Sequence, residues 1–191
     1  MLKLKNKLII FSLIILFSAC EEVYNPKPKA YLRLAFPEKV YIPFNSNCPY
    51  SFQAPNYSIM LKQDKHKDYY CWYDLSFLPF NGDLHLSYKA LDNNLAEYIE
   101  DARNLTYKHA IKANNIIETP INRDSAKVYG IVYELKGNTA SALQFFLTDS
   151  SEHFLRGALY FRASPNSDSI APVLNFVKQD IDYLIESFEW K

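Results

Sequence analysis

Glycine is scarce in this chain, with four residues in 191, and extended apolar runs are scarcer still. Few glycines beside 16% aromatic residues exclude a disordered chain, which could not gather enough apolar surface to offset the entropy of ordering. The apolar run Leu8–Phe17 is about ten residues, whereas a helix crossing a hydrocarbon layer of roughly 30 Å needs about twenty, so no permanent membrane span is expected. Neither sign of charge is in excess, with 21 basic residues against 21 acidic ones, and this gives no electrostatic case for a nucleic-acid partner. None of His66, His85, His109 and His153 lies four residues from another or in an H-E-x-x-H, C-x-x-C or G-x-S-x-G setting. Hence no metal site, cofactor or hydrolase motif is expected.

What is there begins with a leader. Lys3, Lys5 and Lys7 precede the apolar run, and Ser18 and Ala19 follow it before Cys20, which is the layout of a secretory signal. Phe17-Ser18-Ala19-Cys20 resembles the lipobox of bacterial lipoproteins, with Phe17 where Leu is usual. The resemblance implies cleavage after Ala19, so that residues 1–19 are a signal peptide, and covalent diacylglycerol and N-acyl lipid on Cys20. Several acyl chains, at about 0.8 kcal/mol per buried CH₂, are enough for stable membrane attachment. Without the three leader lysines, 18 basic residues face 21 acidic ones, a net charge of −3. Residues 20–30, with Pro26 and Pro28 and no periodicity, read as a lipidated N-terminus and extended tether. Residues 31–191 then read as a single globular domain of ordinary size.

Two cysteines remain, Cys48 and Cys71, and an exported chain meets an oxidising compartment. A disulfide is the expected state, with two buried thiols as the alternative.

Prolines 37, 43, 49 and 55 break the segment after the tether, so one strand is expected at Tyr31–Phe36, followed by irregular chain packed by Tyr41, Phe44, Tyr50 and Phe52. From Cys71 the residues alternate, and Asn81-Gly82 separates Cys71–Phe77 from Leu84–Tyr88, which predicts a hairpin. Asn94-Leu95-Ala96-Glu97 has the form of a capping box, and apolar residues then recur at three- and four-residue steps to Ala113, which predicts a helix over Asn94–Ala113. Ile116–Ile117 is expected to be a short edge strand. Alternating runs at Val128–Leu135, Ala140–Thr148 and Phe154–Ala163 predict a meander, and the stripe from Ile170 to Phe188 predicts a second helix over Ser169–Phe188. The fold class is therefore α+β, a mostly antiparallel sheet of about five to seven strands packed with two main helices. In topology it resembles the PsbP/Mog1-like sandwich.

Three classes of function compete: an interaction component, an enzyme and a small-ligand carrier. The most plausible catalytic grouping joins His109 to Asp101 or Glu97 and a serine such as Ser87, but Asp101 lies eight residues from His109, about 12 Å along a helix and too far to orient the imidazole. His109 falls on the apolar stripe and reads as a buried histidine, His153 as a turn hydrogen bond near Asp149 and Glu152, and His85 as part of the polar face of its strand. His66 sits in the charged run Lys62–Asp68, read as a solvated loop. Arg156, Tyr160 and Arg162 share one strand face with Phe154 and Ala158, and Arg103 lies on the wet face of the first helix. Arg and Tyr supply much of the energy of interfaces, so Arg103, Arg156, Tyr160 and Arg162 form the candidate partner surface.

Several long strings taken together resemble one family, the gliding-motility lipoprotein D (GldD) family of the Bacteroidota. They include Asn47-Cys48-Pro49-Tyr50-Ser51-Phe52, Cys71-Trp72, Leu84-His85-Leu86-Ser87-Tyr88-Lys89 and Glu100-Asp101-Ala102-Arg103. Gly137-Asn138-Thr139-Ala140-Ser141, the run His153–Phe161 and the terminal Phe188-Glu189-Trp190-Lys191 extend the match over nearly all of the mature chain. The resemblance implies a noncatalytic lipoprotein needed for gliding and for the type IX secretion machinery. Its partners would be the membrane, through the anchor, and other envelope proteins. The expected location is the cell envelope, periplasm-facing, since Glu21-Glu22 after Cys20 is a short and off-pattern surface-export signal.

Overall fold

A computed structural model describes residues 35–63, 70–108, 112–163 and 166–191. The described elements are β1 (Tyr41–Phe44), β2 (Tyr50–Pro55), β3 (Ser58–Lys62), β4 (Tyr73–Phe77), β5 (Gly82–Ala90), α1 (Leu95–Tyr107), β6 (Ala113–Arg123), β7 (Val128–Gly137), β8 (Ser141–Thr148), β9 (His153–Phe161), α2 (Ser167–Glu186) and β10 (Glu189–Trp190). Seven strands form one antiparallel sheet in the order β3-β4-β5-β9-β8-β7-β6, and β1-β2-β10 form a small second sheet. The chain is thus an α+β sandwich with antiparallel sheets.

Alternation along the strands sends each side chain to one of two faces. Leu84, Leu86 and Tyr88 of β5, Leu155 and Leu159 of β9, and Leu143, Phe145 and Leu147 of β8 enter the main core. That core is closed by Val177, Ile181, Leu184 and Ile185 of α2 and by Tyr50 and Phe52 of β2. The opposite face carries a smaller cluster, in which Tyr133, Leu135, Phe146 and Phe154 of the sheet meet Ala102, with Leu95, Tyr98 and Ile99 of α1 packed around them. Asn166 caps α2 by accepting from the Ser169 amide at 3.2 Å. A disulfide joins Cys48, just before β2, to Cys71, just before β4, and both cysteines are buried.

Several expectations are corrected by the geometry. The segment expected to be irregular contains β1 and β2. Pro43 is tolerated because β1 is an edge strand, and Pro55 because it ends β2. Of the expected strand Tyr31–Phe36, residues 31–34 lie outside the described residues, and Ala35 and Phe36 are not in a strand. The first helix ends at Tyr107, and Ala113 already opens β6, an eleven-residue edge strand where only Ile116–Ile117 was expected. Asn114-Asn115 and Pro120 are poor in a helix, and Pro120 is accommodated at the sheet edge. Asn94 does not cap α1 with its side chain, which instead accepts from the Asp92 amide at 2.9 Å. The second helix stops at Glu186, because Phe188 turns into the core and Glu189–Trp190 pair with β2. His66 and His109 lie outside the described residues.

Candidate functional site

The site is a groove of about 600 Å³ at the seam between α1 and the open part of the sheet. The register of β5 against β9 pairs His85 with Ala158 and Ser87 with Arg156, and β4 places Asp74 opposite His85. These residues share the face away from the main core. From the helix come Tyr98, Asp101, Ala102 and Leu105, spaced at three and four residues so that they line one side. Trp72, Lys89, Phe154 and Tyr160 complete the walls.

Arg156 is the charged group at the inner wall. Its Nη2 donates to Gln144 Oε1, and the Tyr160 hydroxyl is its other partner. Burial pulls the guanidinium below its ordinary value, with Tyr160 opposing that pull. Arg156 Nε and Gln144 Nε2 are both buried without a hydrogen-bond partner. The Thr106 hydroxyl, from α1, donates to Gln144 Oε1 at 3.3 Å and so links the helix to this corner. At the outer wall the Lys89 ammonium stands 5.3 Å from the centre of the Trp72 ring, a cation–π distance.

His85 Nδ1 lies 2.6 Å from Asp74 Oδ1, and Asp74 also accepts from Gln63. An aspartate orienting an imidazole supplies two of the three members of a hydrolytic triad. The serine two residues along the same face does not complete it, because the Ser87 hydroxyl is directed to the Arg156 carbonyl at 3.4 Å. The ring instead lies 5.4 Å from that of Tyr160. Among the described residues, no group of three or more His, Cys, Asp or Glu is placed to hold a metal ion, and no helix is long and apolar enough to cross a membrane.

The sequence model of the gliding motility lipoprotein GldD family matches residues 21–190. The chain belongs to that family. GldD-family membership places it among membrane-anchored envelope lipoproteins with a role in gliding motility. No curated protein is similar enough in sequence to count as a relative. Among solved structures, the solution structure of cyanobacterial PsbP (CyanoP) from Synechocystis sp. PCC 6803 is similar with a TM-score of 0.52, covering 91% of this chain and 98% of that one. At 12% identity the likeness is one of fold alone, and the fold is PsbP-like.

Of the residues singled out from the GldD-family sequence, Arg156 and Tyr160 come together in the groove. Arg162, two residues further along the same face, grips the buried Asp83 with Nε at 2.7 Å and Nη2 at 3.2 Å. Arg103 stands apart from the groove, with its guanidinium 5.5 Å from the Tyr107 ring. His153 bonds through Nδ1 with the Tyr88 hydroxyl at 2.9 Å and stacks on Trp190, while its backbone amide donates to Asp149 at 2.8 Å. Sequence reasoning singled out Ser87 only as a candidate catalytic serine and missed Trp72, Lys89, Tyr98 and Gln144 as residues of the site. Period-two alternation placed Ser87 and Lys89 beside His85, but nothing in the sequence sets β5 against β9.

Proposed function

We propose that this protein is a noncatalytic lipoprotein, held by lipid on Cys20 with its domain facing the periplasm, that serves gliding and the assembly or function of the type IX secretion machinery by binding other envelope proteins. Membership of the GldD family carries the reading. Two features of the groove support the word noncatalytic: the Ser87 hydroxyl is turned away from the His85–Asp74 pair, and the groove walls are mostly aromatic and aliphatic. Deleting the gene should abolish both surface spreading and secretion of the machine's cargo. A Cys20→Ser copy should leave the membrane fraction and fail to restore either. Ala at His85 or His153 should matter only as far as it lowers stability. The opposite pattern, a folded and membrane-bound His85→Ala protein without motility while Arg156 and Tyr160 variants glide normally, would point to chemistry and end this reading.

A further inference from the structure

We propose that the groove between α1 and strands β4, β5 and β9 binds a small molecule or chain end that carries one carboxylate on an apolar body, with Arg156 gripping the carboxylate.

Three observations converge on Arg156. It is half-buried, yet its hydrogen bonds go to neutral groups, Gln144 and Tyr160, and among the described residues no carboxylate pairs with it. A guanidinium taken out of water is normally compensated by an anion. Of the other arginines, the largely exposed Arg162 takes the Asp83 carboxylate with two bonds, and Arg123 donates from Nη1 to the neutral Ile185 and Phe188 carbonyls at 2.8 and 2.9 Å. Arg156 differs from both in lining a groove with room for a ligand. Its planar fork suits a planar carboxylate.

The walls say what the rest of the ligand is. Trp72, Tyr98, Leu105 and Phe154 present aromatic and aliphatic surface, which accepts an apolar body. The charges of the groove balance, since Arg156 and Lys89 face Asp74 and Asp101, and Asp74 is engaged by His85 and Gln63. A dianionic phosphate collects several cations, and two carboxylates at the rim oppose it. A monocarboxylate needs one guanidinium and suffers less from that rim. This inference goes beyond the envelope role, and its test uses neither motility nor secretion.

The test is a titration of the full lipidated chain in nanodiscs with 4-phenylbutyrate, its primary amide, and phenyl phosphate, followed by ligand-observed NMR and calorimetry. The acid should bind, and the amide and the phosphate ester should bind more weakly by about tenfold or more, since a hydrogen bond to a charged group contributes about 1.5–3 kcal/mol. Arg156→Gln should lose the preference for acid over amide, and Arg156→Lys should recover part of it. Leu105→Trp, which fills the groove from the exposed edge of α1 and leaves Arg156 intact, should weaken the acid even if Arg156→Gln fails to fold. No binding by the wild-type chain, equal binding of acid and amide, tighter binding of phenyl phosphate, or a Leu105→Trp protein that binds as wild type would each overturn the proposal.

Discussion

Asp180→Ala should be among the most damaging single changes in the domain. Asp180 lies on α2 with 1% exposure, and its carboxylate accepts from Lys39 Nζ at 2.6 Å, from the Tyr41 hydroxyl at 2.9 Å and from the Tyr57 hydroxyl. Lys39 also donates to the Phe176 carbonyl at 2.8 Å and sits 4.0 Å from the Phe176 ring centre. One carboxylate therefore ties the segment before β1, β1 itself and the β2–β3 turn to α2. Removing one member of a buried pair costs about 3–5 kcal/mol, because the other charge is left uncompensated. The Lys39 side chain is 23% exposed and can turn partly to water, which places the cost near the lower end, about 3 kcal/mol. For a domain of this size that corresponds to a fall in Tm of about 6–12 °C. Urea unfolding followed by tryptophan fluorescence measures it, and a double-mutant cycle with Lys39→Met isolates the pair. A loss under about 1 kcal/mol, or a cycle with no coupling, would refute the reasoning that this carboxylate holds the N-terminal elements to the helix.

Reducing the Cys48–Cys71 bond, or replacing both cysteines with Ala, should cost about 3 kcal/mol for a loop of 23 residues on the chain-entropy account, read as a shift of the urea midpoint with and without reductant. Burial, joined for Tyr57 by the Asp180 carboxylate, pushes the Tyr50 and Tyr57 hydroxyls well above their ordinary value. Their folded-state values exceed the unfolded ones, so their contribution is whole below pH about 10 and is lost as pH rises beyond it. Urea midpoints should therefore fall above pH about 10, and the fall should flatten in Tyr57→Phe; an unchanged slope in that variant would contradict the assignment. Gly130→Ala should part β7 from β8, because a Cβ there would lie 1.9 Å from the Phe146 carbonyl oxygen, and a loss of about 2 kcal/mol or more is expected in the same unfolding assay.

Sequence reasoning carried the elements whose signal is local. The meander β7–β8–β9 and the stripe of α2 repeat at the period of their own secondary structure, and both were found. What it misplaced depended on tertiary context. Apolar spacing continues past Tyr107 and predicts a helix to Ala113, although the Asn114-Asn115 pair and an available sheet edge favour a strand. Proline density argued against β1 and β2, but β1 needs only β2 beside it, and an edge tolerates Pro43. The groove was only half legible for a related reason. Arg156 and Tyr160 share a strand and could be grouped by alternation, whereas Ser87 lies 69 residues from Arg156 and Thr106 lies 38 from Gln144. Arg162 looked equivalent to Arg156 by alternation, and only the fold shows that Asp83 occupies it.

Coverage of the sheet explains why a groove forms where it does. Seven strands spaced about 4.8 Å apart span roughly 29 Å, and their nine- and ten-residue members run about 30 Å. A helix of thirteen residues is about 20 Å long and 10–12 Å wide, so α1 covers about a quarter of that face. The opposite face has α2 and a second sheet and is closed over its main core. On the α1 side, β8 and β9 receive the helix and supply Phe146 and Phe154, while β4 and β5 carry the polar side chains Asp74, Ser76, Asp83, His85, Ser87 and Lys89, of which Ser76 and Asp83 are buried. An antiparallel sheet tolerates one wet face, provided its side chains are polar. At the helix edge the two regimes meet along β9, where Phe154 belongs to the apolar cluster and Arg156 lines the groove with its hydrogen bonds to Gln144 and Tyr160. Such a seam sets apolar area beside a guanidinium that has no anionic partner among the described residues, an arrangement better suited to holding a ligand or a partner than to breaking a bond.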